Sequence, residues 1–340
     1  MSLQDKCPFT ISAIHQAMKH RCFSKGISAC IPPPGFAHLT SSPVAYTRRN
    51  ELFMQMTSRK GVARYFDEVV SKQDREELLM TVSLLTSNSD FFMSVIRSQC
   101  GSRRVQALLG MSDDVDALFC AAILRRFLDV MTNKFASYVA TQAMVVFDQV
   151  KKHELYGHAI YYALDIACDH QGGMVLKRAI ADVDDPIYKN QLLDVVTRNA
   201  LLISADRSGS FVVQHVFSMN DMRYKHNVAV SLRGHCVDLS FKKYGRYVVE
   251  KLLEDEVTMA VVVKELLECD GDRLMSLASC EFGSLVVSRA LEVTEEMNRD
   301  DLFWRLVRKL MPFRHLLLRS RVFRIVSILE RCSITRSSWN

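Results

Sequence analysis

The feature of this sequence that most constrains its fold is a short motif that recurs at an almost fixed interval. Its clearest copy is DRSGSFVVQHV, residues 206–216. Six copies are aligned on one small residue, and a frayed last copy is aligned on the Leu-Glu pair that closes it, as in the two copies before. Position one is the residue that follows the small residue, and successive first positions are separated by 35, 36, 37, 36, 38 and 38 residues. A period of about 20–50 residues is typical of a solenoid, in which each unit buries its apolar face against its neighbours. The first positions of copies one to seven are Ser102, Ser137, Gly173, Ser210, Arg246, Ser284 and Val322.

Each copy has the pattern of an amphipathic helix. In the fourth copy Val212, Val213, Val216 and Phe217 form the stripe that such a helix buries. Positions one and five lie one turn apart on the opposite face, with position two beside them. Asp206, three residues before the small residue, is placed where an N-cap acceptor is expected. The motif therefore predicts a capped helix that presents a small set of variable side chains.

The stretches NKFASYV at 133–139 and KYGRYVVE at 243–250 resemble the second helix of a Pumilio (PUF) repeat. The resemblance covers roughly residues 65–332 and implies an all-α, right-handed, crescent-shaped α-solenoid of about seven three-helix repeats. In that family the second helices line the concave face, positions one and five contact a base edge, and position two stacks on the base. Helices over 66–70 and 78–85 are expected to cap the first end of the array, since terminal units need a polar outer face.

Composition agrees with a helical protein and excludes several other classes. Only 13 glycines and 7 prolines occur in 340 residues, and the net charge of +6 is mildly basic. Ten scattered cysteines with no Cys-x-x-Cys predict reduced thiols rather than zinc modules or disulfides. We find no catalytic constellation, no cofactor motif and no run of apolar residues long enough for a membrane span. We expect a monomeric, non-enzymatic protein of the cytoplasm.

The first 60 residues differ from the rest. They contain a proline cluster at 32–34 and a single acidic residue, Asp5, before Glu51. We interpret 1–60 as a disordered leader and 61–340 as the repeat domain. An organelle transit peptide is an alternative interpretation of the leader, because it is poor in acids and contains Arg and Ser.

Two copies match the family's Ser-plus-Gln pattern, which the resemblance implies selects adenine. A glutamine amide offers a donor and an acceptor to a base edge, and an aromatic ring or guanidinium plane offers a stacking surface. With the family's antiparallel polarity, copies one and four favour adenines in an A-N-N-A spacing. Their residues at positions one, two and five are Ser102, Arg103 and Gln106, and Ser210, Phe211 and Gln214.

The remaining copies depart from that pattern, so relaxed sequence specificity is expected. We expect Lys177 to contact a phosphate rather than a base, and Arg246 to pair with Glu250 one turn away. The remaining triplets are Ser137, Tyr138 and Thr141; Gly173, Met174 and Lys177; Arg246, Tyr247 and Glu250; Ser284, Leu285 and Ser288; and Val322, Phe323 and Val326.

Position six is basic in four consecutive copies, at Arg178, His215, Lys251 and Arg289. Such a row is either a solvated rim or a stripe that follows RNA phosphates. The resemblance implies a protein that binds single-stranded RNA, in particular messenger 3′ untranslated regions, and regulates translation or stability through recruited proteins. Two alternatives stay open: a protein-binding scaffold of armadillo or HEAT type, and a ribosomal-RNA-binding factor of ribosome biogenesis in the nucleolus.

Overall fold

The computed structural model describes residues 43–58, 74–183, 185–219, 221–320 and 322–337. The predicted helix at 66–70 and the leader before residue 43 lie outside the described residues. The chain divides into two compact units, residues 1–51 and 52–340. The described part of the first unit is the beginning of helix α1, Pro43–Thr57. All contacts described below lie within the second unit.

Helix α1 differs from the expectation of an irregular leader over residues 43–58. Its last turns belong to the second unit, where Leu52 and Met56 are buried in the core. Arg104 donates hydrogen bonds to the carbonyl oxygens of Gln55 at 2.7 Å and Ser58 at 3.1 Å, which satisfies acceptors at the C-terminal end of α1. The four-residue spacing of Leu52 and Met56 is the sequence signal for this helix, and the polar residues around them obscure it.

All regular elements in the described residues are helical, and they follow a three-part cadence. The short first helices are α3 (Ser89–Ile96), α6 (Phe127–Met131), α9 (Ala163–Cys168), α12 (Ala200–Ala205), α15 (Cys236–Ser240), α18 (Gly271–Ser279) and α21 (Arg314–Arg319). The second helices are α4 (Gln99–Leu108), α7 (Ala136–Val146), α10 (His170–Asp182), α13 (Gly209–Ser218), α16 (Gly245–Leu252), α19 (Gly283–Glu296) and α22 (Phe323–Ser337). The third helices are α5 (Asp113–Arg125), α8 (Gln149–Tyr161), α11 (Pro186–Arg198), α14 (Met222–Leu232), α17 (Glu256–Glu268) and α20 (Asp300–Leu310), preceded by α2 (Arg75–Thr86).

The helices form two stacked layers. Each second helix packs against the second helix of the next repeat, from α4 to α22, and each third helix packs against the next third helix, from α2 to α20. One hydrophobic cluster runs through the second unit from Leu52 to Cys332. This arrangement confirms the predicted α-solenoid, in which neighbouring units share a continuous core.

The buried stripe of the second helices is as predicted. Val212, Val213 and Val216 are fully buried, and Phe217 is nearly so. The equivalent residues of α16, Val248, Val249, Leu252 and Leu253, are equally enclosed. Because the i, i+1, i+4 spacing covers the side of a helix that faces both neighbours, the stripe alone determines how each second helix is rotated.

A tight corner joins each first helix to the second. Asp169 is the N-cap of α10 and accepts a hydrogen bond from the backbone N–H of Gly172 at 2.7 Å. Asp206 accepts one from the backbone N–H of Gly209 at 2.8 Å, as predicted, but the N-cap residue of α13 is Ser208, two positions later. A Cβ atom on Gly209 would lie 2.5 Å from the carbonyl oxygen of Ile203. The aligned small residue is therefore required because the first helix passes directly over it.

The cysteines of the described residues are free thiols. Burial, with a smaller contribution from the nearby Glu154 carboxylate, raises the pKa of Cys120 to about 12. Burial also raises the pKa of Cys236 far above its ordinary value. These thiols are protonated at neutral pH and act as small apolar core residues.

Among the described residues, no single helix has both the length and the apolar composition of a membrane span. Two pairs of helices reach that length together, but each pair is bent by about a right angle: α2 with α3 and α18 with α19.

The corner gives a prediction about stability. Gly209→Ala is expected to lower the free energy of unfolding by about 1–3 kcal/mol, because the added methyl group collides with the backbone of Ile203. Gly157 is the matched control: it lies within helix α8, and an added Cβ there meets no atom within 4 Å. Gly157→Ala is expected to stabilise the protein by about 0.5–1 kcal/mol through helix propensity. Urea unfolding, monitored by circular dichroism, measures both stabilities. Equal stability of the two variants would contradict the close contact between Gly209 and the backbone of Ile203.

Candidate nucleic-acid interface

Position two lies on the exposed side of the second-helix layer. Tyr138, Met174, Phe211 and Phe323 are large apolar side chains with exposed fractions between 42% and 71%. Each comes from a different helix of the same layer, and Arg103 is exposed at the equivalent point of α4. Exposed rings and long side chains at a fixed repeat position have no packing role, so they are available to contact a ligand. Tyr247 and Leu285 occupy position two in copies five and six and are half-buried.

Position one is buried in the first four copies, Gly173 of copy three included, contrary to the expectation that it lies on the outward face. Ser102, Ser137 and Ser210 are each at most 2% exposed. The Ser102 hydroxyl donates a hydrogen bond of 2.6 Å to the carbonyl oxygen of Phe135, in the next repeat. Position one is small because adjacent second helices approach each other there. The Ser102 hydroxyl therefore joins adjacent repeats, whereas the Ser210 hydroxyl bonds within its own turn and the buried Ser137 hydroxyl has no hydrogen-bond partner.

The two glutamines at position five are in different states. The Gln106 amide nitrogen donates to the carbonyl oxygen and the hydroxyl of Ser102, at 3.2 and 3.0 Å. The Gln214 amide nitrogen is buried and has no hydrogen-bond partner. Buried amide groups without a partner are rare in native proteins, because the lost hydration is not replaced. Of the two predicted adenine readers, Gln214 is the one with free hydrogen-bonding capacity.

In copy five the predicted ion pair is present. The Arg246 guanidinium lies 2.8 Å from the Glu250 carboxylate, and it also lies 3.9 Å from the centre of the Tyr247 ring. The pair is mostly enclosed, so solvent screens it less than a surface pair. Arg246 thus pairs with the carboxylate at position five and covers one face of the ring at position two, so neither the carboxylate nor that face of the ring is free to contact a base.

Position five provides no free base partner in copies two and six. Thr141 donates to the carbonyl oxygen of Tyr138 at 3.2 Å, and Ser288 donates to that of Leu285 at 3.0 Å. Ser284 at position one of copy six also bonds locally, to the Glu281 carbonyl oxygen at 3.3 Å. These hydroxyls satisfy their own helix turns, as short polar side chains in helices commonly do.

Two of the four basic residues at position six are paired with carboxylates. Lys251 lies 2.9 Å from both carboxylate oxygens of Glu254. Arg289 lies 3.6 Å from Glu292 and 3.2 Å from Glu296. These pairs were not predicted, although Glu254 and Glu292 each lie three residues after their cation, which is a recognisable helix-pair signal.

The other two basic residues differ from each other. Burial lowers the pKa of His215, and the charge of Lys177 lowers it further, so His215 is neutral at pH 7. Arg178 is exposed, and its guanidinium lies 5.5 Å from the centre of the Tyr138 ring of the preceding repeat. The predicted stripe of four cations is therefore reduced to one uncompensated charge, Arg178, beside a stacking ring.

Comparison with known proteins identifies the repeat. The chain is 56% identical over 323 residues to Pumilio homolog 18 of Arabidopsis thaliana, an alignment that covers 95% of this chain and 96% of that protein. It is 43% identical over 306 residues to putative pumilio homolog 17 of the same organism, which covers 88% and 90%. The chain belongs to the Pumilio family. The Pumilio-family RNA binding repeat model matches residues 199–226 and 235–267, which contain most of copies four and five.

Solved Pumilio structures share the fold of this chain. The Puf4 RNA-binding domain, solved bound to an HO endonuclease RNA 3′ UTR recognition sequence, superposes with a TM-score of 0.67 at 19% identity, covering 83% of this chain and 88% of that one. The RNA-binding domain of yeast Puf5p, bound to SMX2 RNA, superposes with a TM-score of 0.57 at 17% identity, covering 82% and 79%. These likenesses confirm the Pumilio solenoid inferred from the repeats.

The buried serines of this Pumilio chain give a second prediction. Ser102→Ala is expected to lower the free energy of unfolding by about 1–2 kcal/mol, because the Phe135 carbonyl oxygen loses the shorter of its two hydrogen bonds and Gln106 loses an acceptor. Ser210→Ala is the matched control, since Ser210 is also buried but donates only to the Arg207 carbonyl oxygen at 3.2 Å, in its own turn. Its cost is expected to be at most about 0.5 kcal/mol, because water reaches the exposed Arg207. Thermal unfolding ranks the two, and the reverse order would contradict the assigned role of Ser102.

Proposed function

We propose that this protein binds single-stranded RNA along the exposed face of its second helices and thereby regulates the translation or stability of messenger RNAs. The observation that carries the proposal is the row of exposed position-two side chains, one from each of several stacked second helices. A nucleotide has a base that can stack on a ring and a phosphate that attracts a cation, so it suits an aromatic side chain on one helix and a guanidinium on the next. Membership of a family whose model is named for RNA binding supports this assignment.

Tyr138 and Arg178 form the best-defined stacking place. The ring and the guanidinium come from adjacent second helices and are 5.5 Å apart, so small side-chain movements admit or cover a base. Phe211 supplies a second exposed ring, on the same helix as the unpartnered amide of Gln214. Stacking on an aromatic side chain is worth about 1–3 kcal/mol per base. These contacts give measurable affinity with modest dependence on sequence.

Specificity rests mainly on copy four. Gln214 keeps free donors, whereas Gln106 is committed to Ser102, and the fifth positions of copies two, five and six bond locally or form an ion pair. Lys177 in copy three is a cation and Val326 in copy seven is apolar, so neither reads a base edge as an amide does. We therefore assign the strongest adenine preference to copy four and a weaker one to copy one. The A-N-N-A spacing follows if both are read with the polarity of the family.

The proposed role in regulating messenger RNA rests on family membership and on the RNAs that are bound in solved structures of family members. The Puf4 domain was solved with a 3′ UTR recognition sequence, and a Puf4 mutant with a Cox17 RNA 3′ UTR sequence. We propose the same class of target here, with translation or decay factors recruited as protein partners. Family membership favours this function over a helical scaffold for proteins and over ribosomal-RNA binding in the nucleolus.

The stacking contacts give a third prediction. Tyr138→Ala and Phe211→Ala are each expected to weaken binding of a short single-stranded RNA by about five- to 150-fold, which corresponds to about 1–3 kcal/mol. Tyr161→Ala is the matched control: Tyr161 is also an exposed tyrosine, but it lies on third helix α8. Fluorescence anisotropy at low ionic strength measures all three affinities. A similar loss with Tyr161→Ala, or no binding by the unaltered protein, would refute the proposed interface.

The glutamines give a fourth prediction. With an RNA that contains both adenines, Gln214→Ala is expected to weaken binding about tenfold more than Gln106→Ala, because only the Gln214 amide lacks a protein partner. Replacing the adenine read by copy four is expected to remove the effect of Gln214→Ala. An equal effect of the two substitutions, or an effect that persists on the changed RNA, would show that Gln214 does not read a base.

A further inference from the structure

Acidic residues are unevenly distributed along the second-helix layer. Helices α4, α7 and α13 contain no Asp or Glu, and α10 contains only Asp182 at its last residue. Helices α16 and α19 contain Glu250, Glu292, Glu295 and Glu296, and Glu254 lies in the turn after α16. The turns after α7, α10, α13 and α16 also contain an aspartate, but copies one to four have no acid at the position of Glu254.

The cations of α16 and α19 also differ in their pairing from those of the earlier second helices. In α16 and α19, each cation forms an ion pair: Arg246 with Glu250, Lys251 with Glu254, and Arg289 with Glu292 and Glu296. In the earlier second helices, the ion pairs of the described residues include none made by Arg103, Lys177 or Arg178. Among the second helices from α4 to α19, the exposed cations outside ion pairs therefore lie on α4 and α10, and beyond the acidic helices Arg324 of α22 is also exposed and takes part in none of the ion pairs of the described residues.

The stacking and hydrogen-bonding groups change one copy later, between α13 and α16. From α4 to α13, position two is exposed in every copy. In α16 one face of the Tyr247 ring is covered by Arg246. In α19 Leu285 is half-buried and Ser288 is buried. Among the described second helices, exposed cations outside ion pairs are therefore missing from copies four to six, and exposed stacking side chains from copies five and six, before Phe323 is exposed again in copy seven.

We propose that the RNA footprint of this protein ends at the fourth repeat, so that it binds about four or five nucleotides over α4 to α13 while the acidic surface of α16 and α19 stays free of RNA. The proposal rests on the proposed function and limits the length of its substrate. One nucleotide per repeat gives the length. An RNA continued along the same layer would bring a phosphate toward the glutamates at each step, in a region whose cations are already neutralised.

Phe323 provides the sharpest single test, because it is the most exposed ring of the layer and lies beyond the acidic surface. Phe323→Ala is expected to change RNA affinity by less than twofold, whereas Phe211→Ala weakens it at least fivefold. Both rings are exposed phenylalanines at position two, so only their place along the layer differs. A loss with Phe323→Ala equal to that with Phe211→Ala would overturn the proposal.

A length series tests the footprint directly. Oligoribonucleotides of four, five, six, eight and ten residues share one A-N-N-A core and are extended at either end. We expect affinity, corrected for the number of binding registers, to level off at about five nucleotides. In a protein that binds RNA, a further tenfold rise in affinity between five and eight nucleotides would refute this proposal and leave the proposed function standing. Absence of binding at every length would refute both.

Neutralising the glutamates tests their role. In a variant that combines Glu254→Gln, Glu292→Gln and Glu296→Gln, the eight-nucleotide RNA is expected to bind about tenfold more tightly and the five-nucleotide RNA to bind as before. The dependence of log affinity on log salt is expected to steepen by about 0.7 for each additional phosphate that the variant neutralises. The matched control combines Glu76→Gln, Glu77→Gln and Glu268→Gln on the third-helix layer, with the same change in net charge. An equal rise in affinity in the control, or no rise in the first variant, would overturn the proposal.

Discussion

The packing of each second helix against the next is the contact on which the rest of this structure depends. No single repeat encloses its own apolar stripe: Val212, Val213 and Val216 are fully buried only because helices lie on both sides of α13. The glycine corner contributes by letting the first helix pass directly over the start of the second. Once stripe and corner are satisfied, the rotation of every second helix is determined, and so is the direction of each variable side chain.

That rotation assigns unequal roles to the three variable positions. Position two points away from the neighbouring helices, so it is the one place where a large side chain is exposed without a packing cost. Position one faces the next repeat, so a small hydroxyl such as that of Ser102 is used to join repeats. Position five lies between these environments, and its behaviour depends on whether its own helix satisfies it, as at Gln106, or leaves it unpartnered, as at Gln214.

The repeat spacing and the valine stripe were enough to predict the solenoid, because the sequence carries both directly, one as a period of 35–38 residues and the other as apolar residues within two turns of a helix. The Arg246–Glu250 pair was predicted for the same reason, since residues four apart on a helix are neighbours. The burial of Ser102, Ser137 and Ser210 was not predictable in this way. It depends on how closely the second helices of adjacent repeats approach, and a helical pattern carries no information on that distance. The end of α1 was missed because Arg104, its partner, stands where copies two to six place a valine.

Every repeat presents the same helix face, but in α16 and α19 the carboxylates beside the cations make that face unfavourable for RNA phosphates. An exposed ion pair is worth only about 0–1 kcal/mol, so a phosphate competes for Lys251 or Arg289 at little cost in broken pairing. The unfavourable contribution comes from the carboxylates themselves, which remain beside the phosphate after their cations have been drawn to it. Glu292 and Glu296 both contact Arg289, so a phosphate bound there meets two negative charges for each positive one. The repeat supplies the same helix in every copy, and the residues three positions beyond position six decide whether its positive charge is available to RNA.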